Sequence, residues 1–356
     1  MVCSQPPPPS TTGAVGRLDR SRLVRGAWVT FQHVSREGTS ITLEDLLTRD
    51  PHGRRQGVLD YVDADQDYCL NFGQQWQAFG RLQLDSVSGA QESHERFHAE
   101  TGWFPRDLKG KVLLDAGCGA GRFAEVALEA GARVVAVDLS GAAYACRRNL
   151  ERFGDRLLVL RADLRALPLR KRAFDGVHSL GVLQHTPDPL GLVRALAEHV
   201  APGGRLATWI YERRSPDLRW LQPRTYIRAA LGPLGDDQKL RVSKALTGTW
   251  FPAGWTLSWF GRTGERLAHF LPYAARHHLG RGDLVRQWRY SVLDTFDWYG
   301  PRYDLPQRQA DVEGAMREAG LTAVRRLPAR GMAIVGDRPE ATREPDRAGP
   351  ERAGRA

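Results

Sequence analysis

Cysteine is scarce in this chain: four of 356 residues, Cys3, Cys69, Cys118 and Cys146, with none of the C-x-x-C spacing of zinc or redox sites. That excludes a disulfide-stapled miniprotein, and scattered thiols suit a reducing compartment as small apolar side chains. No stretch approaches the roughly 18 apolar residues of a spanning helix. The opening MVCSQPPPPS lacks a basic segment followed by an apolar core. A cytoplasmic location without a membrane span is therefore expected. Lysine is also rare, five of 51 basic residues (Lys109, Lys111, Lys171, Lys239, Lys244). No internal repeat is visible. What is present, 42% apolar and 26% charged residues, excludes disorder throughout and collagen-like structure and suits one large domain with extensions.

The net charge of +10 is unevenly placed. Arg205 to Arg289 holds 15 basic and 6 acidic residues, so nearly the whole surplus lies there. Because arginine replaces lysine along the whole chain, the high pI is weak evidence of a nucleic-acid partner.

Residues 1–21 and 337–356 are rich in Pro, Gly and mixed charge, and read as disordered tails. Residues 22–105 form a mixed N-terminal extension or cap, within which Phe72, Trp76 and Phe79 recur at helical spacing. From 106 to 211 short Val- and Leu-rich runs alternate with helical patterns, which predicts an α/β domain with a doubly wound, mostly parallel sheet. The rhythm stops over 212–305, an interval holding Trp220, Trp250, Trp255, Trp259, Trp288 and Trp298. It resumes over 306–336 with an amphipathic helix ended by Gly320 and a closing antiparallel pair. The interval therefore reads as an insertion, a lid over the substrate.

The turn after the first strand of the alternation runs Asp115-Ala-Gly117-Cys-Gly119-Ala-Gly121 into a helix. Glycines let the backbone approach a ligand, and a helix N-terminus adds positive potential. The dinucleotide spacing G-x-G-x-x-G is not met from Gly117, since Arg122 stands where its last glycine belongs. A carboxylate two residues before the glycines suits a ligand with an amino group, which a pyrophosphate lacks. Asp138 ends the next strand, where it can accept hydrogen bonds from ribose hydroxyls. Asp163 follows the third, placed for an exocyclic amine. Leu139 and Leu164 offer apolar faces to a flat ring.

Five segments together, VLLDAGCGAGR (112–122), VVAVDLS (134–140), ADLRALPL (162–169), FDGVHSLGVLQHTPDP (174–189) and VAPGGRLATWIY (200–211), resemble class I S-adenosylmethionine-dependent methyltransferases of the small-molecule, type 11-like group. The resemblance implies a seven-stranded Rossmann-like sheet and S-adenosyl-L-methionine as cofactor. Its methionine part would lie on the glycine turn, its ribose on the Asp138 position and its adenine amine on the Asp163 position. The preceding NFGQQWQAF resembles extensions in bacterial members, which would bring Phe72 and Trp76 over the cofactor; simple core packing is the alternative.

Methyl transfer from a sulfonium needs alignment and exclusion of water, and a hydroxyl or ammonium acceptor also needs a base. His185 in LGVLQHTPDP is the candidate, and a role in shaping the loop is its alternative. Gln184 is a weaker candidate. His94-Glu-Arg-Phe-His98 fits H-E-x-x-H, but a zinc enzyme needs a third ligand and the next histidine is His178, so no metal is expected. His277 and His278 read as a surface pair. Within the lid, Trp298 and Tyr299 are candidate substrate contacts, with Asp294, Asp297 and Asp304 either facing the acceptor or solvated. The expected partner is a small organic acceptor, bulky and partly apolar or anionic, methylated on O, N or C; nucleic acid is not expected. An RNA- or protein-modifying enzyme, and a cofactor-binding cyclase or scaffold, are the other readings.

Overall fold

The computed structural model describes residues 42–62, 80–89, 91–213, 221–275 and 283–340. Nine strands form one sheet: β1 (Gly53–Arg55), β2 (Val58–Asp60), β3 (Val112–Ala116), β4 (Arg133–Asp138), β5 (Leu157–Arg161), β6 (Phe174–Leu180), β7 (Val200–Ile210), β8 (Thr322–Arg326) and β9 (Met332–Asp337). Nine α-helices longer than two turns are described: α1 (Glu92–Thr101), α2 (Arg122–Glu129), α3 (Ala142–Asn149), α4 (Pro189–Ala197), α5 (Pro223–Leu231), α6 (Asp236–Ser258), α7 (Gly261–Ala268), α8 (Leu284–Tyr299) and α9 (Gln309–Glu318).

The strand order is β1-β2-β5-β4-β3-β6-β7-β9-β8, with β2 to β7 parallel and a hairpin at each edge. Seven strands match the expected sheet. The other two are a correction: Gly53–Arg55 and Val58–Asp60 come from the N-terminal extension, and β2 pairs with β5 through Leu59 and Leu160. A second correction concerns the C-terminal tail. Strand β9 runs to Asp337, and the Arg338 N–H donates to the Gly204 carbonyl, so pairing continues into the segment read as disordered.

The parallel strands are apolar on both faces because helices cover both. In β4, Val135 and Val137 enter one core cluster while Val134 and Ala136 enter the other, the two-residue alternation of a pleated strand. The chain winds outward from β3 to β5, then returns to β6 beside β3. That reversal opens a crevice at the C-terminal strand ends, where open α/β sheets take ligands.

The interval after β7 is helical. Its ends are stitched together: the Gln307 N–H donates to the Tyr211 carbonyl and the Arg213 N–H to the Gln307 carbonyl. Helix α8 packs on α6 through Val292, Leu293, Leu240 and Trp288, and anchors on the N-terminal segment where the Tyr290 hydroxyl donates to the Leu82 carbonyl. No helix among the described residues is long and apolar enough to cross a membrane.

Candidate active site

The glycine turn is built by backbone geometry that only glycine tolerates cheaply. Gly117, Gly119 and Gly121 have φ of +90°, +52° and +95°. A Cβ on Gly117 would lie 2.4 Å from Val182 Cγ1, so the loop after β6 is pressed against this turn. Gly121 caps α2, packed so closely that its Cβ would lie 2.7 Å from Leu150 Cδ1.

Acids surround the turn. Asp138 Oδ2 accepts the Gly119 N–H at 2.9 Å, and its Oδ1 accepts from the Ser140 N–H and hydroxyl at 2.9 and 2.7 Å. Burial pushes the Asp138 carboxyl above its ordinary range, and these hydrogen bonds pull it back. Leu139 and Leu164 are both buried beside the strand ends. Asp163 accepts the Arg165 N–H at 2.8 Å and pairs with the Arg165 guanidinium at 2.6 Å, so an adenine amine would share this carboxylate.

Asp115 is buried, and its Oδ2 has no hydrogen-bond partner among the described residues. Its Oδ1 lies 3.3 Å from Nε2 of His178, the residue directly across from it on β6. The His178 ring is fully buried, edge-on to Phe97 and Trp103. A buried carboxylate oxygen without a donor is costly, and an ammonium group of a ligand would satisfy it. The cradle that a Cβ would fill and this orphaned oxygen fit the amino-acid end of S-adenosylmethionine.

Three residues beyond Val182 lies a second polar group. His185 is buried, and its Nδ1 is 3.1 Å from the Tyr303 carbonyl, which can only accept, so Nδ1 carries the proton. Nε2 then faces Asp297 Oδ1 at 4.0 Å, a charge contact rather than a hydrogen bond. Asp297 Oδ2 accepts the Tyr211 hydroxyl at 2.9 Å, and the His185 and Tyr211 rings meet edge-on at 5.5 Å. Burial pushes Asp297 up, His185 pulls it down, and Asp294 and Asp304 push it up again. Burial and the same carboxylates push Tyr211 well above the ordinary phenol value, so it stays a donor. Gln184 is fully buried, with neither amide atom hydrogen-bonded among the described residues, and Asp304 Oδ1 is likewise unpartnered.

Residues 114–208 match a family profile described as a methyltransferase domain. That segment forms a methyltransferase domain within the longer chain. Over 101 residues it is 40% identical to the ubiquinone biosynthesis O-methyltransferase of Methylocella silvestris, covering 28% of this chain and 40% of that one. Over 127 residues it is 32% identical to the protein of the same name from Nitrosospira multiformis, covering 35% and 50%. It thus spans half or less of the length of these curated relatives. Among solved structures it resembles an S-adenosylmethionine-dependent methyltransferase from Mesorhizobium loti, with 30% identity over 30% of this chain and 49% of that one and a TM-score of 0.28.

Within the methyltransferase domain, Asp163 follows β5, while Asp115, Asp138 and the glycine turn come together at the neighbouring ends of β3 and β4. Tyr299 does not join them. Its ring is fully buried in the lid and its hydroxyl donates to the Pro272 carbonyl, so it cannot meet an acceptor. Trp298 lies under the Arg224 guanidinium at 5.1 Å. Asp297, one residue earlier on the same helix, does reach His185, as the Tyr303 carbonyl does from the segment that follows. Phe72, Trp76, Phe79, Cys3, Cys69, His277 and His278 lie outside the described residues.

Tyr211 and His178 were not singled out from sequence. Tyr211 follows a strand at the same edge as the three acids, a signal that was available. The His178 and Asp115 pairing needed the β3/β6 register. The H-E-x-x-H histidines are otherwise engaged: His94 sits between Asp85 and Glu129 at 3.0 and 3.1 Å, and His98 Nδ1 meets the Trp103 carbonyl at 2.6 Å. Among the described residues no group of three or more His, Cys, Asp or Glu could hold a metal ion.

Proposed function

We propose that this protein transfers a methyl group from S-adenosylmethionine to a hydroxyl of a small organic molecule. When bound, the cofactor supplies an electrophilic methyl group. Asp115 and the glycine turn would hold its amino-acid end, Asp138 its ribose, and Leu139 and Leu164 its ring, while Val182 and the lid exclude water.

The observation that carries the reading is the orientation of His185. With Nδ1–H committed to the Tyr303 carbonyl, Nε2 is the atom that can take a proton from an acceptor hydroxyl. The carboxylate of Asp297, fixed by the Tyr211 hydroxyl, then faces the imidazolium that forms. The curated relatives named O-methyltransferases support oxygen as the atom methylated. The lid residues bearing on this point, Asp294, Asp297 and Asp304, are all acidic. An acceptor bearing hydroxyls or an amine suits them better than the anionic one suggested by the arginine surplus.

Incubation with labelled cofactor and host extract, followed by mass spectrometry, should yield one labelled small molecule carrying a new methoxy group. On that acceptor, His185→Gln should lower kcat by about 10²- to 10⁴-fold, with cofactor affinity unchanged by calorimetry. An unchanged kcat removes His185 as the base.

A further inference from the structure

The proposed transfer chemistry leaves one buried polar ring without a task. His178 on β6 is fully buried, and neither of its ring nitrogens has a hydrogen-bond partner among the described residues. Its face of the strand also carries Gly176 and Leu180, and Leu180 belongs with Phe97 and Trp103 to one apolar cluster. A polar ring in such surroundings costs stability, and a leucine would fill the place with no nitrogen left unmet. The fold alone gives no reason for a histidine here.

The ring is held from the side of α1. Phe97 on that helix meets it edge-on at 5.3 Å, and Trp103 meets it edge-on at 6.2 Å. Gly176 makes room for this wall: a Cβ there would lie 2.6 Å from Trp103 Cζ2. Held so, the imidazole presents Nε2 to Asp115 Oδ1 at 3.3 Å, a loose contact between residues in register on β3 and β6. A carboxylate can only accept, so Nε2 carries the proton. No other basic side chain among the described residues pairs with Asp115.

We infer that His178 is a positioning residue for the cofactor: it fixes the Asp115 carboxylate in the orientation that receives the ammonium group of S-adenosylmethionine. The inference rests on the assignment of Asp115 to the cofactor's amino-acid end. A carboxylate at a strand end can turn about its side-chain bonds, and one already anchored meets the incoming ammonium without the cost of ordering it. Because His178 acts through Asp115, its effect is confined to ligands that carry the amino acid.

Calorimetry with S-adenosylhomocysteine, and with 5′-methylthioadenosine, which lacks the amino acid, tests this. His178→Leu should weaken binding of the first roughly tenfold and leave the second unchanged, with near-ultraviolet circular dichroism reporting an intact fold. His178→Gln, whose side-chain N–H reaches as far as Nε2, should restore most of the loss. His178→Asn, polar but one bond too short, should not, and it replaces the leucine variant if that fails to fold. Added to Asp115→Asn, His178→Leu should weaken S-adenosylhomocysteine no further, because the two residues act as a unit. Wild-type affinity in His178→Leu, equal weakening of both ligands, a glutamine variant as weak as the leucine one, or losses that multiply in the double variant overturn the inference and leave Asp115 in its role. If Asp115→Asn itself binds S-adenosylhomocysteine as wild type does, the assignment beneath the inference falls with it.

Discussion

Gly117 is where one Cβ would do most damage. Its φ of +90° strains any L side chain, and a methyl group would overlap Val182. Gly117→Ala should cost about 1–3 kcal/mol in urea unfolding and widen the cofactor crevice. Asp115 offers a finer test, because its orphaned oxygen implies a cationic ligand group. Asp115→Asn should weaken S-adenosylhomocysteine binding by roughly tenfold or more, as for a charge-assisted hydrogen bond. It should leave 5′-methylthioadenosine, which has no amino acid, unaffected in calorimetry. Asp138→Ala should weaken both ligands alike. Equal losses for both ligands in Asp115→Asn would place that residue in general packing. The acids and glycines were readable in the chain because each ends a strand of clear periodicity. The partners that complete them were not: His178 meets Asp115 through a register, and Asp297 meets His185 across more than a hundred residues.

Elements differ in how openly they announce themselves. Helix α4 begins Asp188-Pro189, a capping acid before a proline, and Asp188 Oδ1 accepts the Gly191 N–H at 2.9 Å. Asp188→Ala should cost about 1 kcal/mol by denaturant midpoint, with the m-value unchanged. The parallel strands were equally plain, since four-residue runs such as Val134 to Val137 and Leu157 to Leu160 are apolar on both faces. The β1/β2 hairpin left no such trace. Its strands are three residues each, β1 is exposed throughout, and only the pairing with β5 makes it part of the sheet. The lid helices escaped detail for another reason. In α6 only Ser243, Thr247 and Gly254 are buried, so its inward face carries small residues rather than an apolar stripe.

At the scale of the whole molecule, the sheet is closed by charge as well as by apolar burial. Asp337 on β9 stands across from Arg205 on β7 and also meets Arg325 on β8 at 3.2 Å. Burial alone would raise its carboxyl, but the two arginines outweigh that and hold it below the ordinary range. A carboxyl depressed by folding adds stability above its unfolded value, near 4, and that stability is lost as pH falls through the folded value. Asp337→Asn should therefore lose less stability than wild type on acidification below about pH 4, as followed by thermal melts. An identical acid limb would show that the pair adds nothing. The excursion between β7 and α9 begins and ends side by side, where the backbones of Tyr211 and Arg213 hydrogen-bond to Gln307 just beyond the end of β7. Because departure and return share one doorway, the helical annex between them can change in length or sequence without altering the order of the strands.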